Sequence, residues 1–346
     1  MDVRDFDFDL PPELIAQEPP PERGGSRLLL LNRATGSVTH TRVASLPDVL
    51  RAGDLVVVND TRVFPARLIG RRVPSGGAVE CLLVRRLADV WEALVHPGQK
   101  LKPGARVVFE GIHTIHGEIL ERRFFGRRLV SLWTDDGSSV DEAVDAIGHV
   151  PLPPYIKRTD RTDDRDRYQT VFARARGSIA APTAGLHFTP ALVDTLRARG
   201  IETAAVTLHV GYGTFQPVRV DRVEDHRIEP EEYEISEAAA AALAAARAEN
   251  RRVIAVGTTT TRTLEHAARV HGGAIVPGRN TTDLFIYPGF EFRLVGGLMT
   301  NFHLPKSSLL MLVSAFAGRD AVRTAYDAAI AERYRFYSYG DAMLIL

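Results

Sequence analysis

Ala66-Arg67-Leu68-Ile69-Gly70-Arg71-Arg72-Val73 runs into Pro74-Ser75-Gly76-Gly77 and then into Ala78-Val79-Glu80-Cys81-Leu82-Leu83-Val84-Arg85-Arg86-Leu87. Two runs rich in β-branched and aliphatic residues flank a cluster of turn formers, which reads as strand, turn, strand. The pattern continues. Val90–Val95 stops at Pro97-Gly98, and Arg106–Glu110 stops at Gly111. His116–Arg122 and Arg127–Thr134 lie either side of Gly126, and Asp135-Asp136-Gly137 closes the last. Six short strands with turn signals about every ten residues, and no helical period, predict a small β-barrel or sandwich.

On both sides of this stretch the texture changes, near residues 65 and 150. Thr189-Pro190 is an N-cap followed by proline, and with Gly200 it brackets a helix over Ala191–Arg199. A strand is expected over Ile201–Val210, then an Ala-rich helix from the Ser236 cap to about Glu249. A strand over Arg251–Val256, a helix over Thr263–Val270 and a strand over Asp283–Tyr287 follow. An apolar helix starts at Ser307/Ser308, and an amphipathic one spans Ala321–Tyr334. Upstream, Arg27–Asn32 and Asp54–Asn59 are buried-strand candidates. Strands alternating with helices predict a largely parallel, covered sheet. The expected architecture is an α/β main domain built from both chain ends (1–64 plus 151–346), with an inserted all-β, barrel-like domain at 65–150. A cleft between the two is the natural place for a site.

Length and composition agree with this. The chain has 346 residues, about two domains' worth, and is 45% hydrophobic and 25% charged, which excludes a disordered or fibrous protein. A single cysteine, Cys81, excludes an internal disulfide framework and a four-cysteine zinc site. The acidic start, Met1-Asp2-Val3-Arg4-Asp5, does not read as a signal peptide. Leu309–Ala317, the longest apolar stretch, is far short of a membrane span. A cytoplasmic protein with no membrane partner is the expectation, with a monomer as the default state. The 43 basic and 43 acidic residues cancel, which excludes a polyanion coat held by bulk attraction but not a local patch.

Several polar or glycine-containing runs break the α/β texture where site loops are expected. They are Val58–Val63, with Asn59, Asp60 and Arg62; Ala181–Pro190, with Thr183 and His187; and Thr207–Phe215, with His209, Gly211, Gly213 and Phe215. Val256–Thr263 follows, with Thr258, Thr259 and Arg262, then Thr300–Ser308, with Asn301, His303 and Lys306. Arg335–Asp341, with Tyr337 and Tyr339, is the last. Neither Gly211/Gly213 nor the threonine run fits a dinucleotide fingerprint or a phosphate-binding loop. No histidine or carboxylate spacing calls for a metal: His113 and His116 fall on opposite faces of a strand, and His226 lies in a charged loop.

Taken in order, these strings resemble the S-adenosylmethionine:tRNA ribosyltransferase-isomerase family of queuosine biosynthesis. The resemblance spans the chain. It runs through Asp9–Gln17, Ser26–Leu29, Asn59–Val63, Tyr168–Phe172, Ala180–Thr189, Leu208–Phe215, Val256–Thr259, Asn301–Ala317 and Tyr339–Met343. Departures stand at Glu229, where the family often has a second histidine, and at Gly296, where it often has aspartate. Tyr212 and Gln216 replace a more usual leucine and arginine.

The resemblance implies transfer of the ribosyl part of S-adenosylmethionine to 7-aminomethyl-7-deazaguanine at the tRNA wobble position. Rearrangement gives epoxyqueuosine-tRNA, with loss of adenine and methionine. S-adenosylmethionine is then a co-substrate, tRNA the partner, and no cofactor or metal is implied. The chemistry calls for removal of a proton beside the sulfonium and for a free attacking amine, so groups titrating near neutrality are needed. His187, His209 and His303 are the expected acid–base groups, with Asp60 a further base or ribose partner. Expected substrate contacts are Asn59, Arg62, Thr183, Gly211, Gly213, Phe215, Thr258, Thr259, Arg262, Asn301, Lys306, Tyr337 and Tyr339. Arg122, Arg123, Arg127 and Arg128, and Arg158, Arg161, Arg165 and Arg167, are candidates for RNA phosphate. A methyltransferase and a non-catalytic RNA binder are the rival readings; the first lacks its glycine-rich loop.

Overall fold

The run of short strands closes on itself. A computed structural model describes every residue except Gln216, and every side chain except those of Phe125, Thr214, Phe215 and Gln216. The first part of the chain holds β1 (Arg27–Leu31), β2 (Val38–Arg42), the helical turn α1 (Leu46–Val49), β3 (Leu55–Asn59) and β4 (Thr61–Val63). Six strands come next: β5 (Arg67–Val73), β6 (Ala78–Leu87), β7 (Val90–His96), β8 (Arg106–Phe109), β9 (Ile115–Arg122) and β10 (Arg127–Thr134). They form a closed barrel in the order β10-β7-β6-β5-β8-β9, every pair antiparallel. Alternation sends Val79, Cys81 and Leu83 of β6 inward, and Val130 and Leu132 of β10. At Gly70 the neighbouring strand comes so close that a Cβ would lie 2.2 Å from the Val108 carbonyl oxygen.

The reading of 65–150 as free of helix is corrected by α2 (Val140–Ile147). Ser139 and Glu142 form a capping box at its start, and Ala143 and Val144 join the barrel's core.

Two short pieces, α3 (Asp164–Arg167) and β11 (Ala175–Ser178), lead back to the main sheet. There follow α4 (Pro190–Ala198), β12 (Glu202–Leu208), β13 (Glu231–Ile235), α5 (Glu237–Ala248), β14 (Val253–Val256) and α6 (Thr258–Val270). The last elements are β15 (Gly278–Thr282), β16 (Val295–Asn301), α7 (Ser308–Ala317), α8 (Arg319–Ala331) and β17 (Ala342–Ile345). The caps Thr189, Ser236 and Ser307 each accept an N–H in the first turn, as their residue types predict.

The large sheet has nine strands in the order β15-β13-β12-β3-β14-β16-β17-β1-β2. It is mixed rather than largely parallel. The central run β12-β3-β14-β16 is parallel throughout. Antiparallel pairs flank it: β12 with β13, β13 with β15, β16 with β17, and β1 with β2. Parallel pairing returns once beyond this run, where β17 lies alongside β1, and a parallel pair needs a crossover connection whereas an antiparallel one can be joined by a short turn. Apolar residues of α5, α6, α7 and α8 pack on one face, with Leu243, Leu264, Met311 and Tyr326 in one core. Leu46, Leu192 and Leu196 of α1 and α4 cover the other. Asp283–Tyr287 is not a strand: its place in the sheet is taken by the polar edge strand β15.

Candidate active site

Ligands of open α/β sheets sit outside the carboxyl ends of the parallel strands. In this chain those ends deliver four of the loops singled out by sequence. Asn59 ends β3, and His209 follows β12. Gly257 to Thr259 follow β14, and Asn301 ends β16, two residues before His303.

Two neighbouring cavities open there. The larger, about 610 Å³, lies between sheet and barrel, with Trp91, Glu92 and Arg127 on the barrel side and His209, Gly211, Gly213 and Glu231 on the sheet side. The smaller, about 60 Å³, lies over the start of α6 and is lined by Thr183, Thr258, Thr259, Asn301, His303 and Tyr337 among others. Val210 and Leu309 line both.

His209 is half-buried in the wall of the larger cavity, with Nδ1 2.8 Å from Thr61 Oγ1. Thr61 donates its one hydroxyl proton to Ser178 Oγ at 2.9 Å. The ring therefore holds its proton on Nδ1 and donates to Thr61, leaving a lone pair on Nε2. Burial lowers its pKa against the opposing pull of Glu232 and Asp60, so it is neutral at pH 7. The ring lies flat on Gly177, where a Cβ would come within 2.6 Å of Cε1.

The other two histidines are more deeply held. His303 Nε2 is 2.8 Å from Thr300 Oγ1, and burial pushes its pKa down to about 3. His187 is lowered to about 4, also chiefly by burial. It lines neither cavity but stands behind Asn301, whose Nδ2 donates to its Nε2 at 3.2 Å.

Several expected contacts are committed elsewhere. Asn59 staples β3 to β12: its Nδ2 donates to Leu208 O and its Oδ1 accepts from Leu208 N. Asp60 accepts from Thr207 at 2.6 Å and from Arg174, and it lines neither cavity. Arg62 is exposed on β4, and Lys306 pairs with Asp7 at 2.8 Å, both outside the two cavities. Tyr339 is buried and donates to Asp164. Arg262 reaches the larger cavity but donates to Glu231, Leu284 O and Thr282 O. The side chain of Phe215, like Gln216, lies outside the described residues. The sequence places Thr258 and Thr259 in a loop before a helix, but they are its first turn. Thr260, Thr261 and Thr263 fold their hydroxyls back onto backbone carbonyls four residues earlier.

Of the arginine clusters, Arg128 is buried and bonded to four backbone carbonyls, so it cannot meet phosphate. Arg158 is held by Asp164, Arg165 by Asp145 O and Gly148 O, and Arg167 by Pro20 and Pro21 carbonyls. Arg127 pairs with Glu92 and with Glu229, the position where the family often has a second histidine. Trp91, Glu92 and Glu231 are among the cavity residues that sequence reasoning missed. A charged Glu92 in an otherwise apolar strand was the available signal. Among the described residues, no group of three or more His, Cys, Asp or Glu is placed to hold a metal ion.

A cavity at the carboxyl ends of parallel strands, with a neutral histidine in its wall and a second body closing it, defines an α/β enzyme site. A family model described as queuosine biosynthesis protein matches residues 3–345. The S-adenosylmethionine:tRNA ribosyltransferase-isomerase of Desulfitobacterium hafniense is 51% identical over 347 residues, covering all of both chains. That of Geobacter metallireducens is 52% identical over 349 residues, again end to end. The crystal structure of the S-adenosylmethionine tRNA ribosyltransferase from Thermotoga maritima matches 99% of this chain and 100% of its own, at 38% identity and a TM-score of 0.56. The chain belongs to the queuosine biosynthesis family of S-adenosylmethionine:tRNA ribosyltransferase-isomerases, and it is a tRNA-modifying enzyme.

Proposed function

We propose that the enzyme moves the ribosyl moiety of S-adenosylmethionine onto the aminomethyl group of 7-aminomethyl-7-deazaguanine at the tRNA wobble position. Isomerisation yields epoxyqueuosine-tRNA, adenine and methionine. The observation that carries this reading is His209, a ring in the wall of the larger cavity that is hydrogen-bonded through Nδ1 to Thr61 and whose pKa burial lowers. The sulfonium acidifies the adjacent C5′ hydrogens, and a neutral imidazole can accept one. His209 is the base in this reading. His187 is a positioning residue that orients Asn301, and His303 is a second neutral ring in the smaller cavity. S-adenosylmethionine is a co-substrate, and the reading calls for no metal or redox cofactor. It places the protein in the cytoplasm as a monomer. No helix among the described residues is long and apolar enough to cross a membrane.

The target base must leave its stack to reach the cavity, as for other enzymes that act on a base. In this reading Arg85, Arg86 and Arg123, which line the larger cavity from the barrel side, meet the RNA backbone by exchanging their partners Glu92, Asp141 and Glu121 for phosphate. The test is incubation with S-adenosylmethionine and tRNA carrying 7-aminomethyl-7-deazaguanine, followed by mass spectrometry of the digested nucleosides. An epoxycyclopentane nucleoside with free adenine is expected. Adenosylhomocysteine as product would mean methyl transfer, and unchanged tRNA would end the reading of ribosyl transfer to this base.

A further inference from the structure

The smaller cavity has a polarity of its own. Gly257, at φ +94°, turns the chain from β14 into α6, and no side chain caps the helix. The first amide groups of a 13-residue helix are therefore left without a cap, and Thr258 and Thr259, which carry two of them, line the cavity. Asn301, which is 2% exposed, lines the same cavity. Both hydrogens of its amide are committed, one to His187 Nε2 at 3.2 Å and one to Tyr337 O at 3.0 Å. Turned over, the group would set its oxygen against the Tyr337 carbonyl and lose that bond. Its Oδ1 is buried and has no hydrogen-bond partner. A buried acceptor left unpaired is costly, and a native structure that keeps one invites a donor.

Anion-seeking amides and an unpaired acceptor on residues that line one cavity describe a receptor for a zwitterion. At roughly 10–15 Å³ per water-sized group, 60 Å³ holds about four to six heavy atoms. An α-amino-carboxylate head has five. We propose that this chamber seats the amino-acid head of the co-substrate. Its carboxylate lies on the amides of Thr258 and Thr259, and its ammonium donates to Asn301 Oδ1. The assignment rests on S-adenosylmethionine being the co-substrate. It puts the sulfonium near Val210 and Leu309, where the two cavities meet, and the adenosine in the larger one.

The test compares S-adenosylhomocysteine with 5′-methylthioadenosine, which lacks the head group, by titration calorimetry on the full-length protein. The wild type should bind the first at least about ten-fold more tightly, as expected for charge-assisted hydrogen bonds. Equal affinities would overturn the chamber assignment and leave the co-substrate reading standing. Binding of neither ligand would overturn both. Thr258→Pro removes one amide donor at the first helical position, where proline is tolerated. It should weaken S-adenosylhomocysteine by about ten-fold and leave 5′-methylthioadenosine within about two-fold, which also reports an intact fold. Thr258→Ala, which keeps the amide, should stay near wild type. Equal weakening of both ligands by Thr258→Pro, or of neither, would refute the assignment.

Discussion

At the scale of single residues, His303 and His187 tie stability to pH. Both have folded pKa values, about 3 and about 4, below the ordinary 6.5. Between these values and 6.5 the unfolded chain binds more protons than the folded one, so stability is full above pH 6.5 and drains away as the pH falls towards 4 and 3. His303→Gln removes one of these linked protons and should flatten the fall in melting temperature between pH 6.5 and 4. A slope equal to wild type would refute that burial is its cause. His209 makes a catalytic prediction. His209→Ala should lower kcat by roughly 10²–10⁴ with little change in KM, and a loss under about ten-fold would remove it as the base. Gly177→Ala, by displacing the ring, should act in the same direction. The three histidines were legible because each stands in a polar loop beside a strand end or a helix start. Asp60 and Lys306 were legible as polar residues in such loops, but not their partners: Thr207, Arg174 and Asp7 are distant in sequence, and only the fold brings them near.

Among the elements, α6 does the most to build the site. Its amide end forms one wall of the chamber, and Arg262, one turn further on, forms a buried ion pair with Glu231 of β13. Removing one member of such a pair strands the other charge. Arg262→Met should lower stability by about 3–5 kcal/mol in urea unfolding, and the double variant Arg262→Met/Glu231→Leu should recover part of the loss. A double variant no better than the single one would show that the pair is not the source. Strand periodicity made the barrel legible almost to the residue, because alternation and turn formers agreed along all six strands. It failed at β15, whose Gly278-Arg279-Asn280-Thr281-Thr282 is exposed except for Thr282 and carries no apolar signal. The neighbouring Leu284 and Ile286 alternate like a strand but face no partner strand. The capping box of α2 was present in Ser139 and Glu142, and the strand pattern before it overshadowed it.

For the molecule as a whole, the cleft between barrel and sheet gathers the rim arginines that the zero net charge conceals. Binding to tRNA should weaken steeply with salt, and Arg123→Ala should lower the slope of log affinity against log salt by about one. A slope unchanged in that variant would move the RNA track elsewhere. The ion pair between Arg127 of β10 and Glu229 crosses the same cleft from barrel to sheet. Sequence distance within the sheet has a consequence of its own for synthesis. β17, residues 342–345, lies between β16 and β1, and β1 is residues 27–31. A chain growing from the ribosome can close the barrel once residue 134 has emerged. The two earliest strands must wait beside an open edge until the last strand of the sheet arrives. Ribosome-bound intermediates should therefore carry a finished barrel next to an incomplete sheet, and that waiting edge is where chaperones should engage.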